Sequence, residues 1–355
     1  MKESAPPKEI PIRLPDGTLI QHILPVEQEY AILFAEASGR PLLVSGEPGL
    51  GKSQLALAAA VLLDRPLKSL TINSNTEASD LLYSFDAVSR LAESQVLSSV
   101  FKNDPGNLAK FREEIAVYKY VTPGPLWWAI DGKSALDKQP EGKPKYVSVD
   151  SDLKQWDPVG GIVILIDEID KAESSLPNGL LEVFGERKFT PPGSSQPIVT
   201  KSDAKAPVVI ITTNEERRLP EAFVRRCLIL HLEMPPCLDG DNKPSLDSEI
   251  SINFIKYLLS LGKAHYGDDS LPVSVMSAMA ELLLEDRQNA ILKRNRPYPG
   301  PAEYLDLLRA LTVLGDRELK RKLDQGATTD PKEVYLNLGE NLREYVFQKS
   351  QGERE

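Results

Sequence analysis

The chain has 355 residues, 41% hydrophobic and 26% charged, a composition suited to two or three packed units. Its longest unbroken apolar run, Leu55 to Leu63, is nine residues, about half of what a bilayer crossing needs; the charged, proline-containing start MKESAPPKEI lacks the apolar core of a secretory signal, so no membrane span and a cytoplasmic setting are expected. A net charge of −10 argues against nucleic acid as a partner, and two cysteines with His22, His231 and His265 scattered along the chain leave no cluster spaced for zinc.

Residues 1–25 are rich in proline and charge and predict an arm or short hairpin, Ile10 to Ile20 around Asp16-Gly17, laid against the main domain. Val26 to Ala37 places apolar residues at helical spacing, Ser38-Gly39 closes that helix, and Pro41 to Ser45 reads as a short buried strand. Further β-branched runs follow at SLTIN (69–73), GIVILID (161–167) and PVVIITT (207–213), with helical stretches between them. Strands this continuously apolar predict a parallel sheet covered on both faces, hence an α/β fold. After about Pro235 a polar linker (238–245) leads into residues 250–314, which show only helical periodicity. The remaining residues predict one or two amphipathic helices and a frayed end at QGERE.

The strongest chemical signal is GEPGLGKS, Gly46 to Ser53, placed after a strand and at the opening of a helix. Gly46, Gly49 and Gly51 let the backbone curl so that the N–H groups of Glu47, Pro48's neighbours and Leu50 point inward at phosphate. Lys52 brings a mobile positive charge to the β- and γ-phosphates, Ser53 offers a hydroxyl to Mg²⁺, and Gln54 starts an apolar helix whose N-terminus favours an anion. Ile162 to Ile166 then runs into Asp167-Glu168, which puts two carboxylates at the C-terminal edge of a parallel sheet. Asp167 would hold Mg²⁺ and Glu168 would polarise the attacking water; the competing reading is that this acidic pair only caps a helix. A third strand ends at Asn214, a residue able to hold the water or the γ-phosphate, and also a common turn former. Past it come Arg225 and Arg226, candidates for an arginine that completes a neighbour's site, or for a surface ion pair.

In this order the motifs resemble the MoxR-like branch of the AAA+ ATPases, over about residues 25 to 315. GEPGLGKS is similar to its Walker A, ILIDEIDKA to its Walker B, LLEVFGERKFTPPG to the hairpin before sensor 1, and ITTNEERRLPEAFVRRC to sensor 1 and the arginine-finger helix. NTEASDLLYSFDAVSRL resembles the segment after the second strand in a subset of these ATPases. The resemblance implies a five-stranded core in 5-1-4-3-2 order, a small all-α lid, ATP and Mg²⁺ as ligands, and a hexameric ring with ATP at the subunit interfaces. It makes Asn214 sensor 1 and Arg226 the better-aligned finger. The corresponding boundaries are an arm (1–25), a nucleotide-binding α/β domain (26–238), a lid (239–315) and a C-terminal helical extension (316–355).

Two departures stand out. About thirty polar residues, near 131–160, separate YVTPGPLWWAI from the Walker B strand; Trp127, Trp128 and Trp156 either face a pore or partner there, or Trp127 and Trp128 pack as local core. The lid helix that usually starts with a basic sensor 2 residue carries Ala302 and Glu303 instead, leaving Arg294 and Arg296 as the nearest candidates, with Arg296 preferred. The resemblance implies a protein remodeller with a client or adaptor, of the kind that often carries a von Willebrand A domain. The alternatives are a nucleotide-controlled assembly switch, as in a bacterial defence system, and a small-molecule kinase, which has no need of Asn214 and the paired arginines.

Overall fold

The computed structural model describes residues 6–14, 16–101, 108–138, 157–200, 205–238, 248–324 and 330–347. Residues 139–156 of the insertion with Trp156, the linker from 239, and QGERE lie outside them. The chain divides into two compact units. One comprises Pro25–Ser45 and Ser53–His231; the other comprises Pro6–Leu24, the loop Gly46–Lys52, and the chain from Leu232 onward.

Strands β1 (Lys8–Arg13) and β2 (Leu19–Leu24) form the antiparallel hairpin, burying Ile10, Ile12, Ile20 and Leu24. Alternate residues of a strand share a face, so this set makes one apolar side. The hairpin was expected against the α/β domain; it belongs to the second unit, where β2 meets helix α10, introduced below.

In the first unit, α1 (Val26–Ser38) ends at Gly39, whose φ of 63° lets its N–H reach back to the Ala35 carbonyl. Next come β3 (Leu42–Ser45), α2 (Lys52–Leu63, its Lys52 grouped with the second unit) and β4 (Leu67–Thr71). A side segment follows: α3 (Ala78–Leu82), β5 (Tyr83–Phe85), α4 (Ala87–Phe101), α5 (Leu108–Glu114), β6 (Val121–Pro123), α6 (Pro125–Ile130) and α7 (Gly132–Lys138). The chain returns to the sheet with β7 (Val163–Asp167), then α8 (Ser175–Glu186), the hairpin β8 (Lys188–Phe189) and β9 (Ile198–Val199), β10 (Val208–Thr213), α9 (Glu221–Val224) and β11 (Leu228–His231).

The five-stranded sheet runs β11-β3-β10-β7-β4 with every neighbouring pair parallel, which in core-strand numbering is the expected 5-1-4-3-2. Its register decides the chemistry: Thr213 and His231 both lie opposite Ser45, and Thr71 lies opposite Asp167, so the strand ends share one edge. Residues of β7 and β10 are buried on both faces, as their unbroken apolar runs require. The strand read at 69–73 begins two residues earlier, and Ile72 leaves the ladder to donate its N–H to the Asp167 carbonyl (2.8 Å). Trp127 and Trp128 are core residues of this unit: Trp127 donates to Ser134 Oγ (2.8 Å) and packs edge-on to Phe189, while the Lys68 ammonium sits 4.5 Å over Trp128. Burial depresses that ammonium's pKa.

The second unit adds α10 (Glu249–Ser270), α11 (Val273–Leu292), α12 (Pro301–Asp324) and α13 (Pro331–Val346). Phe254, Val275, Met279, Leu283, Tyr304 and Leu311 are among the side chains filling its core. Arg343 ties α13 to α11 through Asp286 (2.6 Å) and Glu285 (3.0 Å). No described helix is long and apolar enough to cross a membrane.

Candidate active site

The chain passes from β3 through Gly46–Gly51 into α2, so a strand, a tight loop and a helix N-terminus follow without an intervening residue. Close packing explains the glycines. A Cβ on Gly46 would lie 2.4 Å from the Leu232 carbonyl oxygen, and one on Gly49, where φ is +81°, would lie 2.7 Å from the Ala302 Cβ. Lys52 is buried, and its ammonium donates to the carbonyls of Gly46 (2.7 Å) and Glu47 (2.9 Å). The body of α2 is buried through Leu55, Ala56, Ala58, Ala59 and Ala60, and its N-terminus follows the loop directly along the chain.

Ser53 and Asp167, 114 positions apart, meet at the sheet edge: Ser53 Oγ donates to Asp167 Oδ1 at 2.8 Å. The same oxygen accepts a 2.6 Å bond from the Thr212 hydroxyl, which in turn accepts the Glu168 N–H (2.9 Å). Thr212 therefore fixes both acidic residues at once, using its one proton and a lone pair. The expected pair gains a third member here. Its signal in the sequence was a hydroxyl one register step before the strand end, indistinguishable from any β-branched residue of a buried strand.

Glu168 adopts φ 61°, ψ 50°, a left-handed conformation that side chains rarely take without tertiary support. Its carboxylate bonds Lys171 Nζ at 2.6 Å, and that bond raises the lysine's pKa. It makes no helix-capping bond, although it stands at the N-cap of the turn Ile169–Lys171. Asp170 is only 2% exposed, and its Oδ2 accepts the N–H groups of Asn214 (3.1 Å) and Glu216 (3.0 Å). The acid two places after Glu168 thus anchors the loop on which Asn214 sits, at the end of β10. At the neighbouring strand ends, Ser45 Oγ hydrogen-bonds His231 Nδ1.

Arg225 and Arg226 follow α9 and are exposed. Arg225 lies 3.5 Å from Glu221 on the same helix turn, with both side chains more than 80% exposed, a pair worth a few tenths of a kcal/mol at most. No ion pair engages the Arg226 side chain among the described residues. Cys227, next along, is buried, which pushes its thiol pKa up to about 11.

In the second unit, Arg287 of α11 is 8% exposed; it donates to Glu47 of the phosphate loop (2.7 Å) and to the Pro299 carbonyl (2.8 Å). Arg296 lies over the Tyr298 ring at 5.4 Å, and Arg294 is exposed. Among the described residues of this unit, Arg287 is a basic side chain that meets the loop, from the helix before the one at whose start a basic residue was expected. Its signal was present: Val275, Met276, Met279, Ala280, Leu283 and Leu284 mark a buried stripe whose next step is 287.

A glycine-walled loop ahead of a helix N-terminus, with a carboxylate at the adjoining strand end, defines a nucleotide-binding ATPase of the P-loop type. Residues 41–227 match the AAA domain of the dynein-related subfamily, which is more than half of the chain, and the chain belongs to that family. It is an ATP-hydrolysing enzyme of the AAA class. No curated protein sequence matches it. Among solved structures it is similar to a candidate ATPase from Cytophaga hutchinsonii at 15% identity, covering 91% of this chain and 81% of that one, with a TM-score of 0.35. It is also similar to a mutant RuvB from Thermotoga maritima at 15% identity, covering 89% and 68%, TM-score 0.42. A further match is the RuvB Holliday junction branch migration motor of the same organism at 14% identity, covering 89% and 67%, TM-score 0.41.

Proposed function

We propose that the chain is a MoxR-like AAA+ remodeller that binds ATP with Mg²⁺, assembles as a hexameric ring, and uses hydrolysis to act on a client or adaptor protein in the cytoplasm. The observation that carries this reading is the 2.8 Å bond between Ser53 and Asp167, because Ser53 follows Lys52 directly and so joins the phosphate loop to the acidic strand end.

The oxygen donors fit a hard cation. Mg²⁺ is held by one or two carboxylates, a hydroxyl and substrate phosphates rather than by a protein cage, and among the described residues no group of three or more His, Cys, Asp or Glu is placed to form a cage. Asp167 and Ser53 would hold it, and when bound it would neutralise charge developing on the β- and γ-phosphates. The N–H groups of the Gly46–Gly51 loop, Pro48 excepted, and those at the start of α2 would seat the phosphates, and Lys52 would turn from the loop carbonyls to their oxygens. Glu168 exchanges Lys171 for the attacking water, polarises it and takes its proton as the bond to the ADP oxygen breaks. Asn214 holds that water or the γ-phosphate from the opposite side, on a loop pinned by Asp170. Arg226 of a neighbouring copy stabilises the transferring phosphoryl group; Arg225 is the second candidate, and Arg296 a further nucleotide contact. Residues 26–238 would form the nucleotide-binding domain, 239–315 the lid and 316–355 an extension.

A carboxylate, rather than an amide, at position 168 favours turnover over an assembly switch that needs occupancy alone. The Glu168→Gln protein tests this. It should keep ATP, release phosphate about 10² to 10⁴ times more slowly, and retain client proteins in a pull-down that the unaltered protein loses on turnover. A Glu168→Gln protein with full biological activity would establish the switch instead, and a protein still monomeric at saturating ATP would remove any role for Arg226 in a neighbour's site.

A further inference from the structure

Arg40 stands between the end of α1 and the start of β3, with an exposed side chain. Its guanidinium donates to three consecutive backbone carbonyls about 186 positions away: Nη2 to Arg225 O (2.9 Å) and Cys227 O (2.8 Å), and Nε to Arg226 O (3.2 Å). The adjoining Pro41 carbonyl accepts the Leu228 N–H at 2.8 Å. All of these groups belong to one compact unit.

The segment is closed by its own backbone bonds, such as Arg226 N–H to the Phe223 carbonyl (3.0 Å), and is anchored by buried Phe223 and Cys227; the long-range side-chain donors to its carbonyls come from Arg40. Helix α9 is four residues long, below the length at which a helix sustains itself, and a helix end leaves carbonyls without intrahelical partners. The carbonyls of Arg225, Arg226 and Cys227 lie just past that helix, and a planar guanidinium with several donors satisfies all three together, which a lysine ammonium, one charge on a flexible stem, does not. The residues whose carbonyls are captured are the two candidate finger arginines and the cysteine after them. The two arginine side chains stay exposed and Cys227 is buried, while the backbone of this stretch is tied to Arg40 and Pro41, just ahead of the strand that leads into the phosphate loop.

We propose that Arg40 is a positioning residue for hydrolysis in the neighbouring copy: it sets the backbone from which Arg226 projects, so that the guanidinium of one copy reaches the nucleotide of the next. The inference rests on the trans-acting role of Arg226 given above. A displacement of about 1 Å in a group that stabilises a transition state costs up to a hundredfold in rate, so removing the clamp should be felt in kcat and not in nucleotide binding.

The test uses full-length Arg40→Gln. Its kcat should fall about tenfold, with KM and the affinity for a fluorescent ADP analogue within about twofold of the unaltered protein, and Arg40→Lys should fall between. Mixing then separates positioning from a structural role. Glu168→Gln copies hydrolyse ATP too slowly to count but carry an intact Arg40 and Arg226; adding them should raise hydrolysis per Arg40→Gln copy several-fold, because each then receives an intact arginine. An unchanged kcat, or no recovery on mixing, overturns the proposal. Loss of assembly with normal hydrolysis per assembled site overturns it too, assigning the clamp to ring formation. Failure of the underlying reading looks different: Arg226→Ala would then hydrolyse ATP at the full rate, whereas an inactive Arg226→Ala beside an active Arg40→Gln refutes the positioning role alone.

Discussion

The two units place charge under apolar cover by different means. At the sheet edge, Asp167, Thr212 and Asp170 stand at or just beyond strand ends, where register aligns them and each finds partners from a neighbouring strand or loop. In the helical unit, Arg287 projects from the body of α11, and its charge is met by Glu47, a residue of the phosphate loop, together with one carbonyl. The contrast shows that polar groups at element ends come with geometry supplied by the sheet, whereas a polar group on a helix's buried stripe depends on one long-range partner.

The sharpest way to break this comparison is at the nucleotide. Lys52→Ala should abolish ATP binding and hydrolysis together, while Glu168→Gln should keep binding and lower turnover by about 10² to 10⁴; equal effects on binding, measured by calorimetry, would collapse the division of labour at the edge. Chelating Mg²⁺ with excess EDTA should stop phosphate release as completely as Glu168→Gln, and hydrolysis that survives it would leave Asp167 and Ser53 without their proposed task.

Thr212→Val keeps the shape of the side chain and removes the hydroxyl between Asp167 and Glu168. It strands the Glu168 N–H, so a cost of about 1 to 3 kcal/mol in urea unfolding is expected, together with a lower kcat; an unchanged unfolding midpoint would show that water replaces the hydroxyl freely. In the helical unit, Arg287→Met should cost about 1 to 2 kcal/mol by stranding the Pro299 carbonyl, and Glu47→Gln less than about 1 kcal/mol because Glu47 is 48% exposed. Equal costs for the two would mean that Glu47 is as dry as Arg287.

The smallest effect concerns Cys227. Burial pushes its thiol to about 11, above the ordinary thiol value. A group whose folded pKa is raised stabilises the fold fully below the unfolded pKa, and that contribution is lost as pH rises towards the folded value. Thermal midpoints of the unaltered protein should therefore fall between about pH 9 and 11 more than those of Cys227→Ala, and native Cys227 should resist alkylation at pH 8. Labelling as fast as in the denatured chain would show that α9 opens readily.

Much of this was readable before any coordinates, because some features carry local geometry. A loop that curls tightly needs glycines at set spacings, and a strand buried on both faces must be continuously apolar, so Gly46 to Ser53 and Ile162 to Glu168 revealed their placement in the fold. The hairpin turn at Gly17 and the helix end at Gly39 were legible for the same reason, since each needs a positive φ. Thr212, Asp170 and Arg40 carry no such mark, and Arg287 only its place on an apolar helical stripe, because their roles are set by partners from 44 to 240 positions away. Local spacing fixes dihedral angles and exposed faces; which carbonyl a guanidinium meets, or which strand end stands beside a carboxylate, is decided only when the sheet order brings distant segments to one edge.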